Sequence, residues 1–171
     1  MKNLSLFVLF FLSAVFSHVI FSAPLNGNYP LAPGATAEEA RLKVIEAGKK
    51  YEGTPYLYNG ITERGMDCSG FIYASFYDAL GVSVPRSSSA LYSWTEKISL
   101  IDAQPGDLLF FKTNGSRAIS HVGLYLGGNR FIHSASHGRT TGVIYSSLTE
   151  QYWSNAYVAA GRAFPAVLTW Q

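Results

Sequence analysis

Cysteine and histidine are the residue types in this sequence that could act together as a nucleophile and its base. The 171 residues include one cysteine, Cys68, and four histidines. A thiol attacks a carbonyl carbon when a nearby imidazole takes its proton and a third group orients that imidazole. Cys68 follows Asp67, which predicts a helix that begins at the cysteine, where the helix dipole should lower the thiol pKa. The alternative is a buried cysteine that only packs as a small hydrophobe.

His121 and His133 are the candidates for the base and its orienting group. Each lies in a predicted strand, and the segment between the strands is typical of a hairpin turn. If the loop has three residues, Gly127 to Asn129, His133 lies opposite Gly123 on the same face as His121, with Cβ atoms roughly 7 Å apart. A loop of even length without a bulge would place the two histidines on opposite faces. Each histidine alone could equally be an ordinary core or surface residue.

A zinc site is the competing interpretation of these residues, because one cysteine and two or three histidines could ligate the metal. His133 and His137 are four residues apart, which would suit a helix. Gly138 and the preceding strand pattern argue against a helix there. We therefore expect no metal and no other cofactor.

Three residues near Cys68 could assist it. Tyr56 lies in a turn-rich loop before the cysteine, where its phenol could donate to an oxyanion. It could equally be a packed loop tyrosine. Asp67 could serve only as a helix cap, and Ser69 could be only a small first-turn residue.

The N-terminus predicts export. Lys2 precedes an apolar run from Leu4 to Phe21, which is typical of a secretory signal. An uncleaved membrane anchor is the alternative, but His18 interrupts the run and no positive cluster follows. We expect a signal peptide at 1–22, a secreted protein (extracellular or periplasmic) and no stable membrane span after cleavage. A lone cysteine in a secreted protein suggests intermolecular pairing or a free reactive thiol.

Composition excludes other classes of protein. The net charge is only +2 and the sequence has no basic run, which argues against a nucleic-acid partner. Hydrophobic residues make up 48% of the chain, too many for a disordered protein. The length fits one folded unit, which we place at residues 36–171 after an irregular lead-in at 23–35, and we expect a monomer.

Along the rest of the sequence, the predicted helices come before the predicted strands. Thr36 and Glu39 fit a capping box at the start of a helix that extends to about Lys50. A second helix is expected from Asp67 to Gly81, and a short one from Ser87 to near Trp94. Strands are predicted at 108–111, 121–126, 131–136, 143–145 and 157–160. This order indicates an α+β fold with N-terminal helices packed on a C-terminal antiparallel sheet.

Six short motifs occur in an order that resembles the NlpC family of cell-wall cysteine peptidases, whose fold is papain-like. They are Tyr56–Gly60, Asp67–Phe71, Pro85–Ser87, Gly106–Phe111, Ser120–Tyr125 and Phe131–Ser134. The resemblance extends from about Ala37 to Ala163.

The resemblance implies a role for each candidate residue. Cys68 would be the nucleophile, His121 the general base and His133 its orienting residue. Tyr56 corresponds to the family's tyrosine beside the nucleophile. Asp67 and Ser69 match positions that help family members hold the free amine of a peptide stem.

The implied substrate is a peptidoglycan stem peptide, cut between γ-D-glutamate and the following diamino acid. Two alternatives stay open, namely an amidase or acyltransferase that uses the same thiol on another amide, and a non-catalytic wall-binding protein. Two positions depart from the family pattern. Asn59 stands where a second glycine is usual, and Leu91 stands where glutamine is common. Both are expected to lie near the walls of the cleft.

Overall fold

A computed structural model describes residues 36–163. The expected signal peptide, the whole lead-in and the last eight residues of the chain lie outside this range. The described helices are Ala37–Lys49 (α1), Cys68–Leu80 (α2), Ser88–Trp94 (α3) and Gln151–Ala156 (α4), with a 3₁₀ turn at Leu100–Asp102. The first three helices were predicted from sequence. None of the helices in the described range is long and apolar enough to cross a membrane.

Side-chain caps determine where α1 and α2 begin. Thr36 Oγ1 accepts the N–H of Glu39 and the Glu39 carboxylate accepts the N–H of Thr36, which confirms the predicted capping box. Asp67 Oδ1 accepts the N–H of Gly70 at 2.6 Å, so α2 begins at Cys68 as predicted. Gly81 ends α2 in the left-handed conformation, with φ of 68°.

The strands form one large sheet and one small hairpin. They are Ile61–Thr62 (β1), Gly65–Met66 (β2), Glu96–Ile98 (β3), Leu108–Phe111 (β4), His121–Gly127 (β5), Arg130–Ala135 (β6), Gly142–Ser147 (β7) and Tyr157–Arg162 (β8). β1 pairs with β2. The other six form an antiparallel sheet in the order β3-β8-β4-β5-β6-β7.

The large sheet has an apolar cluster on each face. One cluster joins α1, α2 and α3 to the sheet, and its fully buried members include Phe71, Phe76 and Leu124. The other covers the opposite face and includes Phe111 and Trp153, the latter from α4. Because α2 packs against β5, the helix that carries Cys68 is held against the strand that begins with His121. This arrangement confirms the predicted α+β fold.

The β5–β6 hairpin reaches the predicted register by a different route. The loop has two residues, Gly128 and Asn129, rather than three, and both have positive φ, as such tight turns require. A β-bulge between Tyr125 and Gly127 adds one residue to β5. Beyond the bulge Leu124 pairs with Ile132, so the next residues inward, Gly123 and His133, lie opposite each other. The loop length was wrong, but the predicted register is confirmed.

Candidate active site

Cys68 is the first residue of α2 and is partly exposed. The backbone N–H groups of Val122, Ser69 and Cys68 itself lie at its sulfur and favour the thiolate form. Val122 directly follows His121 in β5. The helix N-terminus therefore brings the thiol to the start of the strand that carries the histidine, although the two residues are far apart in the chain.

The pKa of Cys68 differs from the sequence-based expectation. Burial, and to a smaller extent the neighbouring Asp67 carboxylate, raise the pKa of the thiol to about 11. The three backbone N–H groups at the sulfur act in the opposite direction, but burial outweighs them. The expected lowering of the thiol pKa is therefore wrong for the free protein, in which Cys68 is a neutral thiol at pH 7.

His121 and His133 meet on one face of the sheet, as the register predicted. His121 Nε2 lies 2.8 Å from His133 Nδ1. Both residues are buried, and the two rings meet nearly edge to face. The contact occupies Nε2 of His121 and leaves Nδ1 as the nitrogen that can accept a thiol proton. Gly123, opposite His133, leaves the space that this approach needs.

Burial keeps both imidazoles neutral. It lowers the pKa of His121 to about 4. It also lowers the pKa of His133 well below its ordinary value, and a charge on His121 would lower it further. At neutral pH each ring therefore carries one N–H, and each can donate one hydrogen bond and accept another.

Trp153 forms an aromatic wall beside the two histidines. Its ring centroid lies 5.3 Å from that of His121 and 4.7 Å from that of His133. Phe111 and Phe131 pack against the same rings. Sequence analysis did not identify Trp153, because it lies on α4, which was not predicted. Its position before the last strand offered no spacing that pointed to the histidines.

Ser146 is a second residue that sequence analysis missed. Its Oγ lies 3.1 Å from Nε2 of His133, on the side away from His121. It lies on β7, the edge strand of the sheet, and lines an open cleft of about 420 Å³ that Trp153 also borders. The predicted strand ended at Tyr145, one residue before the serine, whereas the observed strand extends to Ser147. The alternation of Ser146 with Ile144 was the available signal.

Tyr56 lies beside the thiol. It forms an isolated bridge with Met66, two residues before Cys68. Burial raises the pKa of its phenol. A negative charge on Cys68, when that residue is ionised, and the Asp67 carboxylate also raise it. Tyr56 is therefore a neutral hydroxyl that can donate a hydrogen bond near the sulfur.

Asp67 is more than a helix cap. In addition to Gly70, its carboxylate accepts hydrogen bonds from the Asn59 N–H, the Ser69 hydroxyl and the Arg86 guanidinium. Burial raises the pKa of Asp67, but the bonds from Arg86, Gly70 and Ser69 outweigh it and the pKa is lowered. The Asp67 carboxylate is thus ionised, and the Arg86 guanidinium balances its charge.

The two departures from the family pattern have different structural settings. Asn59 has φ of 62°, the left-handed conformation that glycine adopts most readily and asparagine tolerates. Its N–H donates to Asp67, so the loop keeps its geometry without the usual glycine. Leu91, a residue of α3, is fully buried in the core and does not lie on a cleft wall. The expectation that Leu91 borders the cleft was wrong.

Metal ligation has little support in this arrangement. No group of three or more His, Cys, Asp or Glu side chains between residues 36 and 163 lies close enough to hold a metal ion. His137 bonds to its neighbour Ser136 and is exposed.

Two known proteins with similar sequences are named as peptidases. A probable endopeptidase of Haemophilus influenzae is 38% identical over 112 residues, which cover 66% of this chain and 68% of that protein. The γ-D-glutamyl-L-lysine dipeptidyl-peptidase of Bacillus subtilis is 39% identical over 130 residues, which cover 75% of this chain and 42% of that protein. The chain thus spans well under half of the Bacillus enzyme.

Solved structures share the fold. A Staphylococcus aureus NLP/P60-family protein described as similar to a lipoprotein aligns with a TM-score of 0.66 at 34% identity, over 80% of this chain and 45% of that one. The NlpC/p60 domain of the peptidoglycan hydrolase SagA aligns with a TM-score of 0.61 at 29% identity, over 71% of this chain and 97% of that domain. These neighbours confirm the papain-like fold.

The family model agrees with the alignments. The model of the NlpC/P60 family matches residues 53–162, a range that includes Tyr56, Cys68, His121, His133 and Ser146. The matched range is well over half of the chain. The protein belongs to the NlpC/P60 family.

Proposed function

We propose that the protein is a secreted cysteine peptidase that hydrolyses peptidoglycan stem peptides, with Cys68 as nucleophile, His121 as general base and His133 as the group that orients it. The observation that carries this proposal is the 2.8 Å contact between His121 Nε2 and His133 Nδ1, made at the strand against which the Cys68 thiol lies. A neutral thiol beside a neutral, oriented imidazole is the arrangement that general-base activation requires.

The first step couples proton transfer to attack. Because Cys68 is a thiol and His121 is unprotonated at neutral pH, no ion pair exists before substrate binds. Nδ1 of His121 takes the thiol proton as the sulfur forms a bond to the amide carbon. The N–H at Nε2 donates to His133 throughout, which holds the ring in place as it becomes an imidazolium.

The tetrahedral intermediate needs donors for its oxyanion. The backbone N–H of Cys68 and the Tyr56 hydroxyl are the groups beside the sulfur that can supply them. The C–N bond then breaks as the His121 imidazolium protonates the leaving amine. Water, activated by His121, attacks the thioester and releases the acyl product and the free thiol.

The names of the relatives support the substrate class. Enzymes named for γ-glutamyl bonds, such as the dipeptidyl-peptidase and the γ-DL-glutamyl hydrolase of Bacillus subtilis, are 39% and 37% identical to this chain. We propose the bond between γ-D-glutamate and the diamino acid as the one cleaved. Asp67 and Ser69 would border the position of the stem's N-terminus, where Arg86 now neutralises the carboxylate.

Location and assembly complete the proposal. The apolar leader at 1–22 would direct the chain to the periplasm or the cell exterior, where peptidoglycan is found. The folded unit, residues 36–171, would act there as a monomer, without a cofactor or a nucleic-acid partner.

Mass spectrometry of defined muropeptides tests the proposal. The purified protein and its Cys68→Ala variant are incubated with peptides that carry the intact stem. We expect an L-alanyl-γ-D-glutamyl fragment from the unchanged protein and none from the variant. Loss of the whole stem peptide would instead identify an amidase. Absence of any product that depends on Cys68 would support a wall-binding protein and overturn the proposal.

A further inference from the structure

We propose that Ser146 is a positioning residue for the reaction, because its hydroxyl accepts the N–H at Nε2 of His133. This bond fixes which nitrogens of the two rings carry protons, and His121 needs that proton order to act as a base. The inference rests on the proposed function. It concerns the third member of a hydrogen-bonded row, in which His121 Nε2, His133 and Ser146 Oγ are joined by contacts of 2.8 and 3.1 Å.

The proton order follows from the chemistry of neutral imidazole, which has one N–H and one bare nitrogen. To take the thiol proton, His121 must have a bare Nδ1 and hence its N–H at Nε2. That N–H faces Nδ1 of His133, which must be bare to accept it. The proton of His133 is then at Nε2 and points to Ser146 Oγ. Each assignment forces the next one.

Ser146 makes this order favourable because His133 is fully buried. An N–H at Nε2 without an acceptor would have the desolvation penalty of an unsatisfied buried donor. Without the serine oxygen, His133 could move its proton to Nδ1 and donate to His121 instead. His121 would then have its own proton at Nδ1, directed at the thiol, and could not act as a base.

The position of Ser146 allows a clean test. It lies half-buried on the edge strand β7, so substitution there does not disturb the central strands. Ser146→Thr keeps the hydroxyl, whereas Ser146→Val has the same shape without it and fills the space that a water could occupy. Both side chains favour strands. Ser147→Val, next on β7 and bonded to Thr149 rather than to a histidine, is the matched control.

We expect Ser146→Val to lower kcat about tenfold with KM within about twofold. Loss of a partner that orients a functional side chain typically costs about 10–100-fold and the wrong tautomer more, and Ser146 lies two hydrogen bonds from His121. Ser146→Thr and Ser147→Val should retain kcat within about twofold of the unchanged protein. Equal melting temperatures for the Thr and Val variants would exclude a fold effect. Equal kcat for those two variants would overturn the inference.

Nitrogen NMR of ¹⁵N-histidine-labelled protein gives a second readout that needs no substrate. In the unchanged protein both His121 and His133 should carry the proton at Nε2, and Ser146→Val should move part of the population to Nδ1. A proton at Nδ1 of His121 in the unchanged protein would overturn the inference. If the order is seen but no stem peptide is cleaved, the proposed function fails and the assignment of the row stands.

Discussion

Nε2 of His121 lies 2.8 Å from Nδ1 of His133, although the two residues are twelve positions apart and belong to different strands. The contact exists because β5 and β6 pair with Gly123 opposite His133, and a one-residue shift would turn one ring to the other face. Two buried, neutral rings joined in this way can hold a proton at a fixed atom.

His133 should be replaceable by an amide. The N–H of His121 needs an acceptor, which the side-chain oxygen of asparagine can supply and alanine cannot. We expect His133→Ala to lower kcat for stem-peptide hydrolysis about a hundredfold, within the range for loss of general-base function. His133→Asn should recover at least part of that loss. Equal rates for the two variants, at equal thermal stability, would show that orientation of His121 is not the role of His133.

Alkylation of Cys68 should become fast only at high pH. Burial raises the pKa of the thiol to about 11, and the thiolate is the form that reacts with iodoacetamide. We expect the rate constant to rise through the alkaline range without a plateau near neutrality. Cys68 is the only cysteine of the chain, so the mass of the labelled protein reports on this thiol alone. A plateau between pH 6 and 8 would indicate a resting thiolate–imidazolium pair instead.

Stability should fall on acidification. The folded protein keeps His121 neutral down to pH about 4, whereas the unfolded chain binds a proton near the ordinary histidine pKa of 6.5. Stability from neutral His121 is present above 6.5 and is lost as pH falls towards 4. The lost free energy of unfolding is about 3 kcal/mol for this residue, from 1.36 kcal/mol per pKa unit. The lowered pKa of His133 adds to the loss.

Urea unfolding at pH 7, 6, 5 and 4 measures this dependence. His121→Phe should flatten it. If the slope of the unchanged protein between pH 6.5 and 4 were zero, the buried rings could not be neutral in the folded state.

Gly123 should not tolerate a side chain. A Cβ there would lie 2.7 Å from Phe131 Cδ2 and 3.3 Å from His133 Cβ. We expect Gly123→Ala to destabilise the protein by about 1–3 kcal/mol, as overpacked sites do, and to lower activity by displacing His133. Unfolding and peptide hydrolysis are measured on the same preparation. Unchanged values of both would mean that β5 and β6 are not held as closely as the structure shows.

Arg86 should limit the binding of free amines at Asp67. Its guanidinium lies 3.2 Å from the Asp67 carboxylate and would repel a second cation at that place. We expect Arg86→Ala to lower KM for stem peptides with a free N-terminal amine relative to the same peptides acetylated there. Arg86→Lys, which keeps the charge, is the control and should resemble the unchanged protein. A ratio of the two KM values that is the same in all three proteins would contradict this role.

Sequence patterns identified the elements that have local signals. The Thr36 and Asp67 caps and the Gly81 terminator gave the bounds of α1 and α2 because side chains next to the helix ends determine them. The short β1, β2 and β3 strands and helix α4 were missed, since two- and three-residue strands have no measurable periodicity. Their formation depends on the larger elements that surround them.

Sequence patterns pointed to the candidate residues, but they did not predict the pKa values of those residues. Cys68, His121 and His133 stand out in the sequence because of their types and spacing. The pKa values depend on how deeply the folded chain buries each group, which spacing does not reveal. Ser146 and Trp153 come from separate elements later in the chain, and only the folded structure brings them to the histidines.

The placement of Cys68 at the start of a helix, and of His121 on a sheet formed from the later half of the chain, has a consequence for biosynthesis. A chain that has formed only its helices possesses the thiol but no base, and its histidines are separated from it by an unfolded loop. Under the proposed mechanism, such a chain could not hydrolyse a stem peptide. The thiol and the two imidazoles are therefore brought together only by the packing of the sheet against the helices.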